Sequence, residues 1–194
     1  MATTIAPADD IIAKTCEQLG VPVFRGSERD VLDRYARAAE MVAADIVVRS
    51  TADCPLIDPD VVDRVLARLR ADRCDYASNT LIRTFPRGLD VEAMRTEALL
   101  VARRESIDPL DREHVTRYIH QHPERFRLRS VELDRNLSAE RWTVDTREDL
   151  ELIRRVIEIL YPICPAFGMQ DVIDLLDAQP DWRQLNAHVE QKHV

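Results

Sequence analysis

The sequence predicts an α/β fold, with a sheet of mainly parallel strands covered by helices. The first half of the chain alternates short apolar segments with amphipathic segments of helical length, a pattern typical of such sheets. These helical segments are bounded by capping residues, such as Asp58 followed by Pro59, and the closing Gly20. With 194 residues, 45% hydrophobic and 32% charged, the chain can bury one hydrophobic core. We expect a single three-layer domain over residues 1–194.

Each element of the first half is placed by its periodicity and its end signals. Ser27, with Asp30 three residues on, resembles a capping box and predicts that a helix begins there. The residues 2–4 match only the end of a strand, so we expect the sheet to lack its N-terminal part in this sequence. The predicted helices span residues 9–19, 27–43 and 59–70, and the predicted strands residues 2–4, 21–24, 45–49 and 74–78.

The second half has a different pattern, which predicts an α+β flap over residues 84–135 and a helical tail over residues 161–194. Between them, Thr146 and Asp149 predict a capped helix that extends to about Leu160. The other predicted helices span residues 96–104, 109–120, 170–177 and 181–191, and the predicted strands lie within residues 84–94, 126–133 and 141–144.

Charge and motif content exclude several classes of function. A formal net charge of −8 is unfavourable for nucleic-acid binding, which needs a basic surface. No apolar run reaches the roughly 18 residues of a membrane span, and the first residues do not resemble a signal peptide, so we expect a soluble, cytoplasmic protein without a membrane partner. The sequence also lacks the glycine-rich motifs of P-loop enzymes and dinucleotide-binding enzymes.

Two aspartates are candidate metal ligands. Asp53 follows the predicted strand 45–49, and Asp145 follows the predicted strand 141–144. Ligands of open α/β sheets bind beyond the carboxyl ends of the strands, and Mg²⁺ usually takes one or two carboxylates plus water and phosphate oxygens. The alternative is that both residues only cap helices or form turns, as aspartates often do. Similarly, Arg87 next to Gly88 could bind an anion or belong to a plain turn.

Five segments, in order along the chain, resemble the nucleotide-sugar cytidylyltransferase family. This family includes the synthetases of CMP-sialic acid and CMP-KDO, and the resemblance is greatest to its spore coat polysaccharide group. The similarity extends over nearly the whole chain. The segments are Gly20-Val-Pro-Val-Phe-Arg-Gly-Ser to Tyr35, Asp53-Cys-Pro-Leu-Ile-Asp58, Phe85-Pro-Arg-Gly-Leu-Asp-Val-Glu92, Asp111-Arg-Glu-His-Val-Thr116 and Thr143-Val-Asp-Thr-Arg-Glu-Asp-Leu150.

The resemblance implies a Rossmann-like fold of the glycosyltransferase-A type and a nucleotidyltransferase activity. In such enzymes a sugar oxygen attacks the α-phosphate of CTP, pyrophosphate leaves, and Mg²⁺ neutralises charge. The implied partners are CTP and an acidic or modified sugar destined for surface or spore-coat polysaccharide. A homodimer is implied in the same way.

The resemblance also assigns site residues by their positions in the motifs. Asp53 and Asp145 match the metal-binding acids. The remaining assignments are Arg25, Gly26 and Ser27 for the nucleotide, and Arg87, Asp90 and Glu92 for the sugar.

Two other functions remain open at this stage. Family members hold the triphosphate in an N-terminal glycine- and arginine-bearing loop, which residues 1–194 do not contain, so the chain is expected to be inactive or impaired as written. The first alternative is therefore a non-catalytic fold remnant that serves as a binding or assembly module. A glycosyltransferase is the second, but the D-x-D sequence Asp58-Pro-Asp60 lies at a helix start, where a cap explains it better.

Overall fold

The computed structural model describes residues 1–190 and has the mixed α/β architecture that the sequence predicts. Strands and helices alternate in the first half, and helices dominate the second. The strands are β1 (Ala2–Thr4), β2 (Phe24–Gly26), β3 (Ile46–Arg49), β4 (Tyr76–Ser78), β5 (Glu92–Arg95) and β6 (Leu128–Ser130). The helices are α1 (Asp10–Gln18), α2 (Val31–Met41), α3 (Pro59–Ala71), α4 (Thr96–Glu105), α5 (Pro109–His114), α6 (Arg117–Gln121), α7 (Arg147–Leu160) and α8 (Met169–Ala178).

The strands form two sheets among the described residues. β1 and β2 pair in parallel, with Thr3 opposite Arg25. The other sheet has four strands in the order β3-β5-β4-β6, so β4 and β5 are its only pair that is adjacent both in the sheet and in the sequence. Helices connect β3 to β4 and β5 to β6, which agrees with the alternation in the sequence.

The chain divides into two compact units, each built from several segments. The first contains residues 1–47, 73–76 and 93–128. Within it, ion pairs connect α2 to α4, because Arg103 of α4 contacts Asp33 at 2.8 Å and Glu40 at 3.0 Å. Arg112 makes a further ion pair with Asp30.

The second unit contains residues 48–72, 77–92 and 129–194, of which residues 191–194 lie outside the described part. Its apolar core forms where α7 and α8 pack with the loops around Leu56, Leu89 and Trp142. Trp142 is 1% exposed, so the residues on either side of it are fixed by a well-packed neighbour. This core supports the pocket described below.

Helix caps in the second unit follow the sequence signals closely. The Thr146 hydroxyl accepts from the Asp149 amide, and the Asp149 carboxylate accepts from the Thr146 amide, which confirms the predicted capping box of α7. Asp58 has a larger role than predicted. One carboxylate oxygen accepts from Asp60 N at 2.7 Å, and the other accepts from Met169 N at 2.7 Å. The buried carboxylate therefore caps α3 and α8 together.

Several predicted elements are wrong in detail. The helix predicted from Ser27 begins at Val31, because the Asp30 side chain, not Ser27, caps it. The helix predicted over 109–120 is broken at Val115, which has a φ of +58° and separates α5 from α6. The helix predicted over 181–191 is only a short 3₁₀ helix, Pro180–Gln184, within the described residues. Gln191 lies outside the described part of the chain.

The strand predicted over 141–144 is also wrong, because this segment makes only one isolated bridge, between Arg141 and Arg87. The Thr143 hydroxyl and the Val144 amide donate to a carbonyl of the Asp53 loop instead of to a strand. Among residues 1–190, no helix is long and apolar enough to span a membrane. The flap and tail boundaries and the single domain stay predictions.

Candidate active site

A pocket of about 400 Å³ lies within the second unit. It brings together four of the predicted site residues, Asp53, Arg87, Asp90 and Asp145. The rest of its lining comes from Thr51, Cys54, Gly88, Arg141, Thr143, Thr146, Val189 and Glu190. Both acidic and basic side chains line it, which suits a ligand that carries phosphate groups together with a cation.

Asp53 is held by backbone and side-chain hydrogen bonds from residues 143 and 144. Val144 N donates to Asp53 O at 2.8 Å, and Thr143 Oγ1 donates to the same carbonyl at 3.1 Å. Thr143 Oγ1 also lies 3.3 Å from Asp53 Oδ2. These contacts fix the loop after β3 against the segment that carries Asp145, so the two predicted metal ligands come from directly bonded segments.

The side chain of Arg141 fixes the orientation of Asp145. Its Nε donates to Asp149 Oδ1 and its Nη2 to Asp149 Oδ2, each at 2.9 Å, and Nη2 also donates to Asp145 Oδ2 at 2.7 Å. The side chains of Arg141 and Asp149 are 9% and 0% exposed, whereas that of Asp145 is 48% exposed. A buried ion pair therefore orients an accessible carboxylate.

Asp149 remains ionised in this buried position. Burial by itself would raise its pKa, but hydrogen bonds from Arg141, Asn186 and the Asp145 amide bring the pKa down to about 2. The negative charge keeps Arg141 in place, because a buried guanidinium without a carboxylate would be costly.

Arg87 differs from Arg141, which also lines the pocket, and from Arg83, which pairs with the pocket residue Asp90. Arg83 pairs with both oxygens of Asp90, at 2.6 and 2.8 Å, and Arg141 pairs with Asp149. Within residues 1–190, the Arg87 guanidinium has neither a hydrogen bond nor an ion pair. Burial and the nearby charges of Arg83 and Arg141 lower the pKa of Arg87 from its ordinary value. An arginine in this situation favours an anionic ligand.

Gly88 allows the backbone of its own loop to lie close to the backbone of Trp142 and Thr143. Its φ is +100°, and a Cβ at this position would lie 2.4 Å from the Trp142 carbonyl carbon and 2.6 Å from Thr143 N. The backbone bond from Trp142 N to Arg87 O, at 2.7 Å, closes this contact. Only glycine fits here without displacing the backbone.

The thiol of Cys54 also borders the pocket but is not an activated nucleophile. Burial, with the nearby carboxylates of Asp53 and Asp90, raises the pKa of this thiol to about 11. A protonated thiol does not act as a nucleophile at neutral pH.

The remaining predicted residues lie elsewhere. Glu92, on β5, forms a buried ion pair with Arg49 of β3 and does not line the pocket. Arg25, Gly26 and Ser27 belong to the first unit. There the Arg25 guanidinium donates to Thr4 O at 2.7 Å and to Ala6 O at 3.0 Å, and it pairs with Asp10 at 2.7 Å.

Sequence analysis missed Arg83, Arg141, Thr143 and Asp149 as residues that build the site. Arg141 precedes Asp145 by four residues and Asp149 by eight, a spacing that would place them on one face of a helix. Arg141 does contact both aspartates, but residues 141–144 are not helical. Helical spacing would therefore have predicted the correct contacts from an incorrect local structure. Arg83 and Asp90 are seven residues apart in a segment without helix, so their pairing is likewise not a consequence of helical spacing.

The carboxylates of Asp53 and Asp145 fit a hard cation in chemical type. Residues 1–190 contain no group of three or more His, Cys, Asp or Glu side chains placed to hold a metal ion. Mg²⁺ in proteins is often bound by only one or two carboxylates, while water and phosphate oxygens supply its other ligands. The two carboxylates of this pocket match that number. The donor set is therefore suited to a metal that arrives with a nucleotide.

Comparisons with known proteins show the family to which the chain belongs. A family model described as cytidylyltransferase matches residues 1–193. The chain is 34% identical to an uncharacterized protein of Methanocaldococcus jannaschii, over 99% of this chain and 78% of that protein. It is 32% identical to spore coat polysaccharide biosynthesis protein SpsF of Bacillus subtilis, over 93% of this chain and 75% of that protein.

A solved structure shares the fold. It is a cytidylyltransferase from Leptospira borgpetersenii serovar Hardjo-bovis, with a TM-score of 0.89 and 30% identity. The match covers 98% of this chain and 79% of that chain. The predicted fold class and the predicted family are thus confirmed, and the chain belongs to the cytidylyltransferase family.

Proposed function

We propose that this protein takes part in Mg²⁺-dependent transfer of CMP from CTP to an acidic or modified sugar for polysaccharide synthesis. The observation that carries the proposal is one pocket that contains two carboxylates, the half-buried Asp53 and the exposed Asp145, and an arginine, Arg87, whose guanidinium has no partner among residues 1–190. Membership of the cytidylyltransferase family supports the nucleotidyl transfer. The similarity to a spore coat polysaccharide biosynthesis protein supports polysaccharide as the destination.

Asp53 and Asp145 are the residues that would hold Mg²⁺. A bound Mg²⁺ supplies charge neutralisation for the phosphates of the nucleotide. The chain itself contributes positioning: Thr143 and Val144 fix Asp53, and Arg141 fixes Asp145. Positioning of this kind lowers the cost of organising the reacting groups.

The sugar is proposed to bind near Arg87 and Asp90. Arg87 would pair with an anionic group of the sugar, because within the described residues it has no carboxylate partner. Asp90 is already held by Arg83, but an ionised carboxylate has about four lone-pair sites and can also accept from a sugar hydroxyl. Glu92 is better explained as the partner of Arg49 that stabilises β5 than as a sugar ligand.

The nucleotide assignment of Arg25, Gly26 and Ser27 stays a prediction. The contacts of Arg25 with Thr4, Ala6 and Asp10 leave it a structural role in the first unit, so Gly26 and Ser27 are the better candidates for contact with the base. A cytoplasmic location and a homodimer also stay predictions.

A thermal unfolding scan of the 194-residue chain, with and without CTP and MgCl₂, tests the proposed function. A ligand at about 100 times its dissociation constant stabilises a protein by roughly 2.7 kcal/mol, which raises the melting temperature by about 5–11 °C for a chain of this size. We expect a shift of this order only when both are present. A cooperative melt without any shift would contradict the proposal and favour the alternative, a fold remnant that serves as a binding or assembly module.

Replacement of Arg87 by Met is expected to remove a preference for acidic sugars. A hydrogen bond to a charged group contributes about 1.5–3 kcal/mol, so the loss corresponds to roughly 10- to 100-fold in affinity. The measurement compares N-acetylneuraminic acid, KDO and glucuronate with their methyl esters, in the presence of CTP and MgCl₂, by pyrophosphate release and thermal shift.

Arg129→Met is the matched control, since Arg129 is an exposed arginine of the same unit that contacts Asp72 at 2.8 Å and does not line the pocket. If wild type and Arg87→Met prefer the acidic sugars over their methyl esters to the same extent, Arg87 does not bind the acidic group of the sugar.

A further inference from the structure

The C-terminal segment Asn186–Glu190 reaches the same pocket as the two proposed metal ligands. Val189 and Glu190 line the pocket together with Asp53 and Asp145. The segment starts from a fixed point, because Trp182 and Leu185 pack against the apolar core of the second unit. A backbone bond from Val189 N to Asn186 O, at 3.0 Å, then turns the chain toward the pocket.

Asn186 ties this segment to the buried ion pair beneath Asp145. Its side-chain Nδ2 donates to Arg141 O and to Asp149 Oδ1, each at 2.9 Å, and the residue is 4% exposed. Both hydrogens of one amide group are therefore used on the two members of the Arg141–Asp149 pair. Since Arg141 also donates to Asp145, the amide is two contacts away from an accessible pocket carboxylate.

We propose that Asn186 is a positioning residue for the metal site and that Asn186–Glu190 forms a wall of the substrate pocket. The inference rests on the proposed function, because it assigns a role at the same site. Asn186 fixes Asp149, Asp149 fixes Arg141, and Arg141 sets the orientation of Asp145. Residues that contact a metal ligand directly typically change metal affinity by about 10- to 100-fold when they are removed, and Asn186, which acts through Asp149 and Arg141, is expected at the lower end of this range.

The first test measures Mn²⁺ binding to the full chain by the electron paramagnetic resonance signal of free Mn²⁺, in the presence of CTP. Asn186→Leu keeps the approximate shape of the side chain but removes both donors. We expect its Mn²⁺ dissociation constant to rise about 10-fold. Val172→Ala is the matched control, since it weakens the core of the same unit at a residue of α8 that belongs neither to segment 186–190 nor to the pocket lining; its Mn²⁺ dissociation constant should equal that of wild type.

The second test needs no variant and therefore does not depend on how Asn186→Leu folds. Hydrogen–deuterium exchange of the wild-type chain is compared with and without CTP and MgCl₂. Peptides that cover residues 186–190 should gain protection when the ligand binds, because this wall would then face a ligand instead of solvent.

The outcomes separate this inference from the proposed function. Wild-type protein that neither binds Mn²⁺ nor shows a thermal shift with CTP and MgCl₂ overturns both. Wild-type protein that binds Mn²⁺, together with the same Mn²⁺ affinity in wild type, Asn186→Leu and Val172→Ala, overturns only the role of Asn186. Binding without any change of exchange in residues 186–190 overturns the wall.

Discussion

Asp53→Asn is expected to weaken binding of CTP in the presence of Mg²⁺ at least about 100-fold while the chain keeps its fold. Replacement of a residue behind a metal ligand already costs 10- to 100-fold, and loss of a charged ligand from a pair of carboxylates should cost no less. The fold should persist because the principal contacts of this loop, from Val144 N and Thr143 Oγ1, go to the Asp53 backbone carbonyl, which the substitution does not change.

Isothermal titration with CTP, at fixed MgCl₂ and then in excess EDTA, measures this effect. Wild type should lose most of its affinity in EDTA, whereas Asp53→Asn should show the same weak binding in both conditions. Asp134→Asn, a change at an exposed aspartate of the same unit, serves as the control and should behave as wild type. A normal metal effect in Asp53→Asn would exclude this residue as a metal ligand.

Asp145→Asn should give the same loss of the metal effect, and its structural consequences are also small. The amide oxygen of asparagine can still accept from Arg141 Nη2, and the buried pair of Arg141 with Asp149 is retained. Similar losses in both variants, without additivity in the double variant, are expected if the two carboxylates act on one cation.

The parts of the fold that the sequence predicts are those that depend on local signals. Helix starts are marked by Asp58 before Pro59 and by Thr146 with Asp149. The end of α1 is marked by Gly20, which has a φ of +68°. Capping depends on a few neighbouring residues, so it can be inferred without knowledge of the tertiary structure. The same reasoning places Asp53 in a loop after β3.

Features that depend on contacts distant in sequence could not be predicted. Residues 141–144 have the composition of a strand, but their polar groups bond to the Asp53 loop, 90 residues away in the case of Thr143. The unpaired state of Arg87 is likewise a property of its neighbours, since Arg83 and Arg141 have carboxylate partners and Arg87 does not within residues 1–190. Among the many arginines of the chain, only the tertiary structure distinguishes this one.

Gly88→Ala is expected to be the most destabilising single change in the pocket. Alanine at a φ of +100° carries a backbone strain of about 1–3 kcal/mol. Its Cβ would also lie 2.4 Å from the Trp142 carbonyl carbon and 2.5 Å from its oxygen, and these backbone atoms cannot rotate away as a side chain can. We expect a total loss of about 3 kcal/mol or more in the free energy of unfolding, or about 6–12 °C in the melting temperature.

Gly20→Ala separates the two contributions to this loss. Gly20 has a φ of +68°, but no atom lies within 4 Å of a Cβ built there, so alanine meets strain without a clash. Its cost should be near 1–2 kcal/mol. Thermal and urea unfolding of both variants measure the difference, which reports the cost of the close approach between Gly88 and residues 142–143. Equal destabilisation would mean that this backbone moves aside freely.

The same clash should also abolish the response to CTP and MgCl₂. Trp142 stands between Arg141, which holds Asp145, and Thr143, which contacts Asp53, so a shift of its carbonyl moves both supports of the proposed metal site. Gly20→Ala, in the first unit, should keep the full thermal shift with these ligands. A folded Gly88→Ala protein with an unchanged shift would show that the pocket tolerates displacement of residues 142–143, and that the rigidity inferred for the site is not needed for binding.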